Sequence, residues 1–295
     1  MSNPLLGGVE AGGTKFVLAV AEDPVGILAS HTIPTLSPRE TLAQALAWFD
    51  AQGPVQSVGI ASFGPVELDR SSERWGHIGT TPKRGWSGFD LAGTVARHTG
   101  SPVAIQTDVN GAALAEFELG AGRGARSLAY VTVGTGIGGG FVIDGRIVHG
   151  AGHPELGHIY ARRSQDDTCF TGHCPFHGDC LEGLASGPAI QARWGQSLSE
   201  LAPDHPAHGI VAHQLAQMCH TVFASMAVET IVLGGGVMQT PGLLERVVAR
   251  SRELDAGYLP HGEKRRILAP HLGGASGITG ALMLALKALD EGKRA

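Results

Sequence analysis

Twice in this chain a strand-like apolar run meets a glycine turn and leaves again as a strand. Val9–Val20 reads VEAGGTKFVLAV, and Leu128–Val148 reads LAYVTVGTGIGGGFVIDGRIV. Gly12-Gly13-Thr14-Lys15 superficially suggests a P-loop, but the GxxxxGK[ST] spacing is absent and a strand follows where a P-loop needs a helix. Gly134-x-Gly136-x-x-Gly139 matches the dinucleotide fingerprint letter by letter. It too runs into a strand, FVIDG, so no helix N-terminus is there to receive a pyrophosphate. What remains is a β-hairpin whose turn offers backbone N–H groups and a threonine hydroxyl, Thr14 or Thr135, to phosphate oxygens. One such hairpin could be a plain turn; two in one chain favour the phosphate reading.

Strands and helices alternate after each hairpin, so the chain reads as a rough internal duplication of two α/β halves with a cleft between their glycine turns. Ser37 and Glu40 form a capping box, Pro38 takes the first helical position and Gly53 ends a helix over Ser37–Phe49. Ser57–Ser62 and Val103–Thr107 read as short buried strands, Ser127–Val133 and Thr230–Leu233 as two more. Asp144-Gly145 is a tight hairpin signal. Helices are expected over Asn110–Gly120, Ile210–Val228 and Ser276–Leu289. Asp69–Phe89 is an irregular stretch of the length that usually serves a function.

With 295 residues the chain can bury one large core or two modest ones. Its 44 glycines are about twice the usual ~7% share and cluster beside apolar runs, as turns packed close to a ligand would. A net charge of −5 gives no case for nucleic acid or an anionic membrane. The opening MSNPLLGGVEAGG lacks the features of a signal peptide, and no apolar run approaches the ~20 residues of a membrane span. The four cysteines are therefore expected in a reducing, cytoplasmic setting.

Three of those cysteines lie close together. Cys174-x-x-His177-x-x-Cys180, with His158 upstream, supplies two thiolates and two imidazoles, the set for a closed structural Zn²⁺. Chance loop cysteines or a Cys174–Cys180 disulfide are the plainer readings, and His153, Cys169 and His173 are alternative ligands. Asp108 ends a buried strand and opens a helix, a place for a rigid general base and equally for a helix cap. Gly234-Gly235-Gly236 closes a strand, either as a nucleoside shelf or as close strand–helix packing. Thr80, Thr81, Pro82 and Lys83 form either a lip over an acceptor or an irregular loop whose Trp86 plugs the core.

VEAGGTK, TDVNGAA, VTVGTGIGGG, HPELGH, CPFHGDCLEG and IVLGGGV occur in the order found in the ROK family of repressors and sugar kinases. The chain resembles most its zinc-containing bacterial fructokinase branch, from Gly8 to about Gly280. That resemblance implies an α/β, actin-like ATPase (ribonuclease H-like) fold with ATP and sugar meeting in a central cleft. It implies an N-terminal lobe over residues 1–108, with the helix at about 276–295 packing back on it. A C-terminal lobe over 109–275 would carry a zinc-binding insertion at about 149–182. The implied reaction moves the terminal phosphate of ATP to a hexose, fructose first, at O6.

By the same resemblance Asp108 is the general base, and Asn110, Glu155, His158 and Thr81 touch the sugar. Glu10, Gly12, Gly13, Thr14, Lys15, Thr135, Gly136, Gly234, Gly235 and Gly236 serve nucleotide and phosphate. Most family members have Asp where Glu10 stands; either carboxylate can help hold Mg²⁺ through water. The family's cysteine pattern, C-x-C-x4-C, is interrupted here by Pro175 and Phe176, and His177 replaces a ligand. Zn²⁺ would be held by His158, Cys174, His177 and Cys180. Mannose, glucose and N-acetyl-amino sugars stay open as acceptors. A sugar-sensing repressor is the non-enzymatic alternative, disfavoured because the chain starts only eight residues before the first strand. A homodimer is the implied assembly.

Overall fold

In the computed structural model, which describes residues 5–163, 167 and 169–292, the two glycine hairpins open two separate sheets. The outermost residues of the expected N-terminal lobe and C-terminal helix, 1–4 and 293–295, lie outside the described residues, as do 164–166 and 168 of the expected insertion. The chain divides into two units. The first takes the residues up to Ala115, Val148–His153 and those from Gly274 onward; the second takes Glu116–Ile147 and Pro154–Gly273.

In unit 1, β1 (Leu6–Ala11) pairs antiparallel with β2 (Lys15–Ala21), and β2 with β3 (Ile27–Pro34). Helix α1 (Pro38–Gln52) leads to β4 (Ser57–Ser62), parallel to β1. Helix α2 (Leu91–Thr99) leads to β5 (Val103–Thr107), parallel to β4, and α3 (Asp108–Glu118) follows directly. The strand order is β3-β2-β1-β4-β5. The start of α1 has the expected reciprocal cap between Ser37 and Glu40, and Gly53 ends it at φ 97°.

Unit 2 repeats the design. β6 (Ser127–Val133) and β7 (Ile137–Ile143) form the second hairpin, and β8 (Arg146–Ile147) follows through Asp144 and Gly145, whose φ values of 47° and 74° make the expected tight turn. Helices α4 (Leu181–Ala185), α5 (Gly187–Trp194) and α6 (Pro206–Met226) precede β9 (Thr230–Gly234). Helix α7 (Leu243–Asp255) precedes β10 (Arg266–Leu268). β9 runs parallel to β6 and β10 to β9, so the order β10-β9-β6-β7-β8 repeats that of unit 1, read from the opposite edge. This is the actin-like, ribonuclease H-like α/β architecture, duplicated.

The final helix, α8 (Ser276–Gly292), returns to unit 1. It lies on the sheet face lined by Leu6, Ala19 and Ala61, contributing Ile278, Ala281 and Leu282. Ser57 Oγ donates to Ala285 O at 2.8 Å, and Gly59 lies so close to the Ala281 carbonyl that a Cβ there would collide with it. On the opposite face, Phe16, Ile60, Ile78 and Leu91 form the larger core. Trp86 fills it from the irregular loop: its ring lies 5.5 Å from Phe16, 5.4 Å from Phe63 and 5.6 Å from Phe89, and its Nε1 donates to Leu36 O at 2.9 Å. Emptying such a site costs about 3–5 kcal/mol, which anchors the loop beside the first glycine turn. Among the described residues no helix is long and apolar enough to cross a membrane.

Candidate active site

In unit 1 the expected residues gather at the carboxyl ends of β1 and β5, where open α/β sheets place ligands. Glu10 is the penultimate residue of β1 and registers with Ala61 of β4, which registers with Gln106 of β5. Asp108 comes two residues later, as the first residue of α3. Burial and the facing Asp108 carboxylate push the Glu10 carboxyl up to about 7, partly offset by Lys15 and by the Ile278 backbone at the start of α8. Two carboxylates that oppose each other's ionisation are a ready place for a divalent cation. Asn110, in the same turn of α3 as Asp108, is fully buried; its Oδ1 has no hydrogen-bond partner, while Nδ2 donates to Gln106 Oε1 at 3.1 Å.

The first glycine turn closes tightly, with Gly12 N–H donating to Lys15 O at 3.0 Å. A side chain that sequence reasoning left only on the acceptor lip holds it in place. Lys83 Nζ donates to Gly13 O at 2.7 Å and lies 5.4 Å from the Phe63 ring centroid. A Cβ on Gly13 would sit 2.5 Å from that ammonium, so a side chain there would displace the tip of Lys83. Burial lowers the Lys83 pKa. Thr81 belongs to the same loop, which Ser87 braces by accepting from Thr81 N–H at 3.0 Å and donating to Thr81 O at 3.0 Å.

In unit 2 the second turn is held from the other side of the charge scale. Gly134 N–H donates to Gly136 O at 2.9 Å, and Gly187 N–H, opening α5, donates to Gly134 O at 2.7 Å. Glu182, in the first turn of α4, accepts from Ile137 N–H at 2.9 Å. Thr135, Gly187, Pro188, Ile190, Ser197 and Val237 help line a cavity of about 350 Å³. The glycine triplet splits in two. Gly234 is crowded by the Tyr130 hydroxyl, 2.5 Å from where a Cβ would stand, and Gly235, at φ 93°, packs against the Val133 backbone. Gly236 has open space around it and lines the cavity.

The short 3₁₀ turn Leu156–His158 lies flat on β7, with Gly157 against the Ile137 carbonyl and Leu156 against Gly139. Glu155 precedes it on the surface. His158 Nδ1 is 3.5 Å from Cys180 Sγ and 3.9 Å from Cys174 Sγ; His177 Nδ1 is 3.7 Å from Cys174 Sγ. All four ligand atoms fall within 4.8 Å of one another. Tetrahedral Zn²⁺ with Zn–S ≈ 2.3 Å and Zn–N ≈ 2.0–2.1 Å spaces its ligands about 3.4–3.8 Å apart, so the donor set fits such an ion. Cys174 and Cys180 are free thiols and not a disulfide. Among the described residues this is the group of three or more His, Cys, Asp and Glu that could hold a metal; Cys169 and His173 stand outside it.

The model of the ROK family matches residues 6–288. A fructokinase of Zymomonas mobilis is 45% identical over 292 residues, covering 96% of this chain and 97% of that protein. Among solved structures, a ROK hexokinase from Thermus thermophilus matches with a TM-score of 0.77 at 26% identity, over 97% of this chain and 99% of that one. A ROK family glucokinase from Streptomyces griseus, solved with glucose and AMPPNP, gives 0.74 at 25% identity over 96% and 99%.

Proposed function

The chain belongs to the ROK family, and from that premise we propose that it is an ATP-dependent hexose kinase converting D-fructose to fructose 6-phosphate. The observation that carries this reading is local to unit 1: a buried, unpartnered amide oxygen on Asn110 lies two residues along α3 from a carboxylate at the end of a parallel strand. An acceptor hydroxyl supplies the missing hydrogen bond, and Asp108 takes the proton from the hydroxyl that attacks. Phosphoryl transfer asks little covalent help from the protein beyond such positioning and charge neutralisation. The choice of fructose rests on the 45% likeness to the Zymomonas mobilis fructokinase.

The Gly12–Lys15 turn presents N–H groups and the Thr14 hydroxyl to phosphate oxygens, with Thr135 and Gly136 doing the same from the second turn. Gly236 and its cavity take the nucleoside, while Gly234 and Gly235 shape the strand end behind it. Glu10 would hold Mg²⁺, which neutralises phosphate charge when bound. The family resemblance adds Thr81, Glu155 and His158 as acceptor contacts. His158, Cys174, His177 and Cys180 would hold Zn²⁺ as a structural ion: four protein ligands leave no open position for water. Thiols in that role suit a reducing, cytoplasmic setting, and a homodimer is the assembly that the family resemblance implies, open to light scattering.

The test is a coupled ADP-release assay with Mg-ATP against fructose, mannose, glucose, N-acetylglucosamine and N-acetylmannosamine, before and after chelation of tightly bound metal. Turnover highest on fructose, and lost on chelation, supports the whole reading. Highest turnover on another sugar would replace the acceptor and keep the kinase. No turnover on any sugar would remove the kinase.

A further inference from the structure

Behind Asn110 lie two further side chains, Gln106 at the end of β5 and His149, that the proposed reaction does not use. Asn110 Nδ2 donates to Gln106 Oε1 at 3.1 Å, and Gln106 Nε2 lies 3.3 Å from His149 Nε2. Asn110 Oδ1, at the far end, has no partner although the residue is fully buried. Each side-chain amide has one accepting and one donating end, so each neighbour dictates which way it faces.

Burial and the adjacent His153 lower the His149 pKa, which keeps its ring neutral at neutral pH. A neutral imidazole has one accepting nitrogen. When Nε2 is that nitrogen, Gln106 turns its NH₂ to the histidine and its oxygen to Asn110. Asn110 must then donate to Gln106, and its own oxygen is left over. Reversing Gln106 would reverse Asn110 as well, leaving a buried NH₂ where the oxygen now stands.

We infer that Gln106, backed by His149, is a positioning residue that fixes the Asn110 amide so that its oxygen faces the acceptor sugar. The site therefore selects sugars that donate a hydroxyl hydrogen at that place. This inference rests on the reading that Asn110 holds the acceptor, and the experiment separates the two.

Steady-state constants for acceptor and ATP would be measured separately for Gln106→Leu, Gln106→Glu, Asn110→Ala and the double variant Gln106→Leu/Asn110→Ala, with a thermal melt of each. Losing the one bond that orients Asn110 should raise the acceptor KM of Gln106→Leu about tenfold, with the ATP KM within about twofold. Gln106→Glu still accepts from Asn110 Nδ2, so it should stay within about threefold of wild type. Gln106→Leu should add nothing once Asn110 is alanine. An unchanged acceptor KM in Gln106→Leu, an equal loss in Gln106→Glu, or losses that multiply in the double variant would each overturn the inference while leaving Asn110 as a sugar ligand. An unchanged acceptor KM in Asn110→Ala would remove that ligand, and the inference with it. If Gln106→Leu melts early, Gln106→Met at the same position carries the same expectation.

Discussion

At the first hairpin a lysine reaches in and donates to a turn carbonyl; at the second a glutamate reaches in and accepts from a turn N–H. The two sheets share strand order, and both hairpins turn on glycine and threonine. Their penultimate strand residues differ in kind: Glu10 at the end of β1, Thr132 at the end of β6. The first turn is thus surrounded by charge that can work on a reacting phosphate, namely Glu10, Asp108 and Lys83. The second is uncharged at its strand end, and its carboxylate is spent on backbone geometry. Duplicated topology supplies two similar glycine turns, and on the proposed reading the side chains around them divide chemistry from holding.

The sharpest way to break that division is Asp108→Asn. It should lower kcat by roughly a hundred- to ten-thousand-fold, with fructose binding retained in part; a kcat within about tenfold of wild type would end the assignment of chemistry to unit 1.

Next in size is the cost of burying the Glu10 charge. Its folded pKa of about 7 lies above the ordinary 4.5, so between those values the folded protein binds more protons than the unfolded one. Stability must then fall as pH rises through that window, by about 3 kcal/mol in total, and level off above about pH 7. Urea melts of the Mg-free protein against Glu10→Gln, from pH 4.5 to 8, would read it. Parallel slopes in the two proteins would mean that Glu10 is not the group paying for the buried site.

Smaller effects separate the two braces. Lys83→Met removes a charged donor from the first turn, and kcat/KM for ATP should fall about tenfold, with Lys83→Arg losing less. Glu182→Gln keeps an oxygen for the Ile137 N–H, so the ATP KM should rise only about threefold. Equal losses in the two variants would erase the contrast between the turns.

Much of this was legible in sequence because it is local. The capping box at Ser37, the strand from Ser57 to Ser62 and the Asp144-Gly145 turn each follow from adjacent residue types, and each stands where expected. The His/Cys spacing likewise brought four ligand atoms together. The edge strand β3 gave no signal: Ile33 is its single buried residue, so no two-residue alternation exists to be read. Helix α7 carries Leu243, Val247 and Ser251 at helical spacing on its buried side, a pattern legible in the sequence that sequence reasoning missed. The braces were out of reach for another reason. Lys83 meets Gly13 across 70 residues and Glu182 meets Ile137 across 45, contacts that no local pattern encodes. The unpartnered oxygen of Asn110 is a property of packing and appears only once its neighbours are in place.

The return of α8 to the first sheet sets an order of assembly. The strands of unit 1 are synthesised well before the helix that covers one face of their sheet. At ~5–20 residues per second, that face waits roughly 10–35 s for its cover after Ala115 is made. Unit 2, lying between, is complete before then. A nascent chain halted before Ser276 should therefore present the apolar face of Leu6, Ala19 and Ala61 to whatever chaperone is at hand, and a truncated product should be cleared rather than stored.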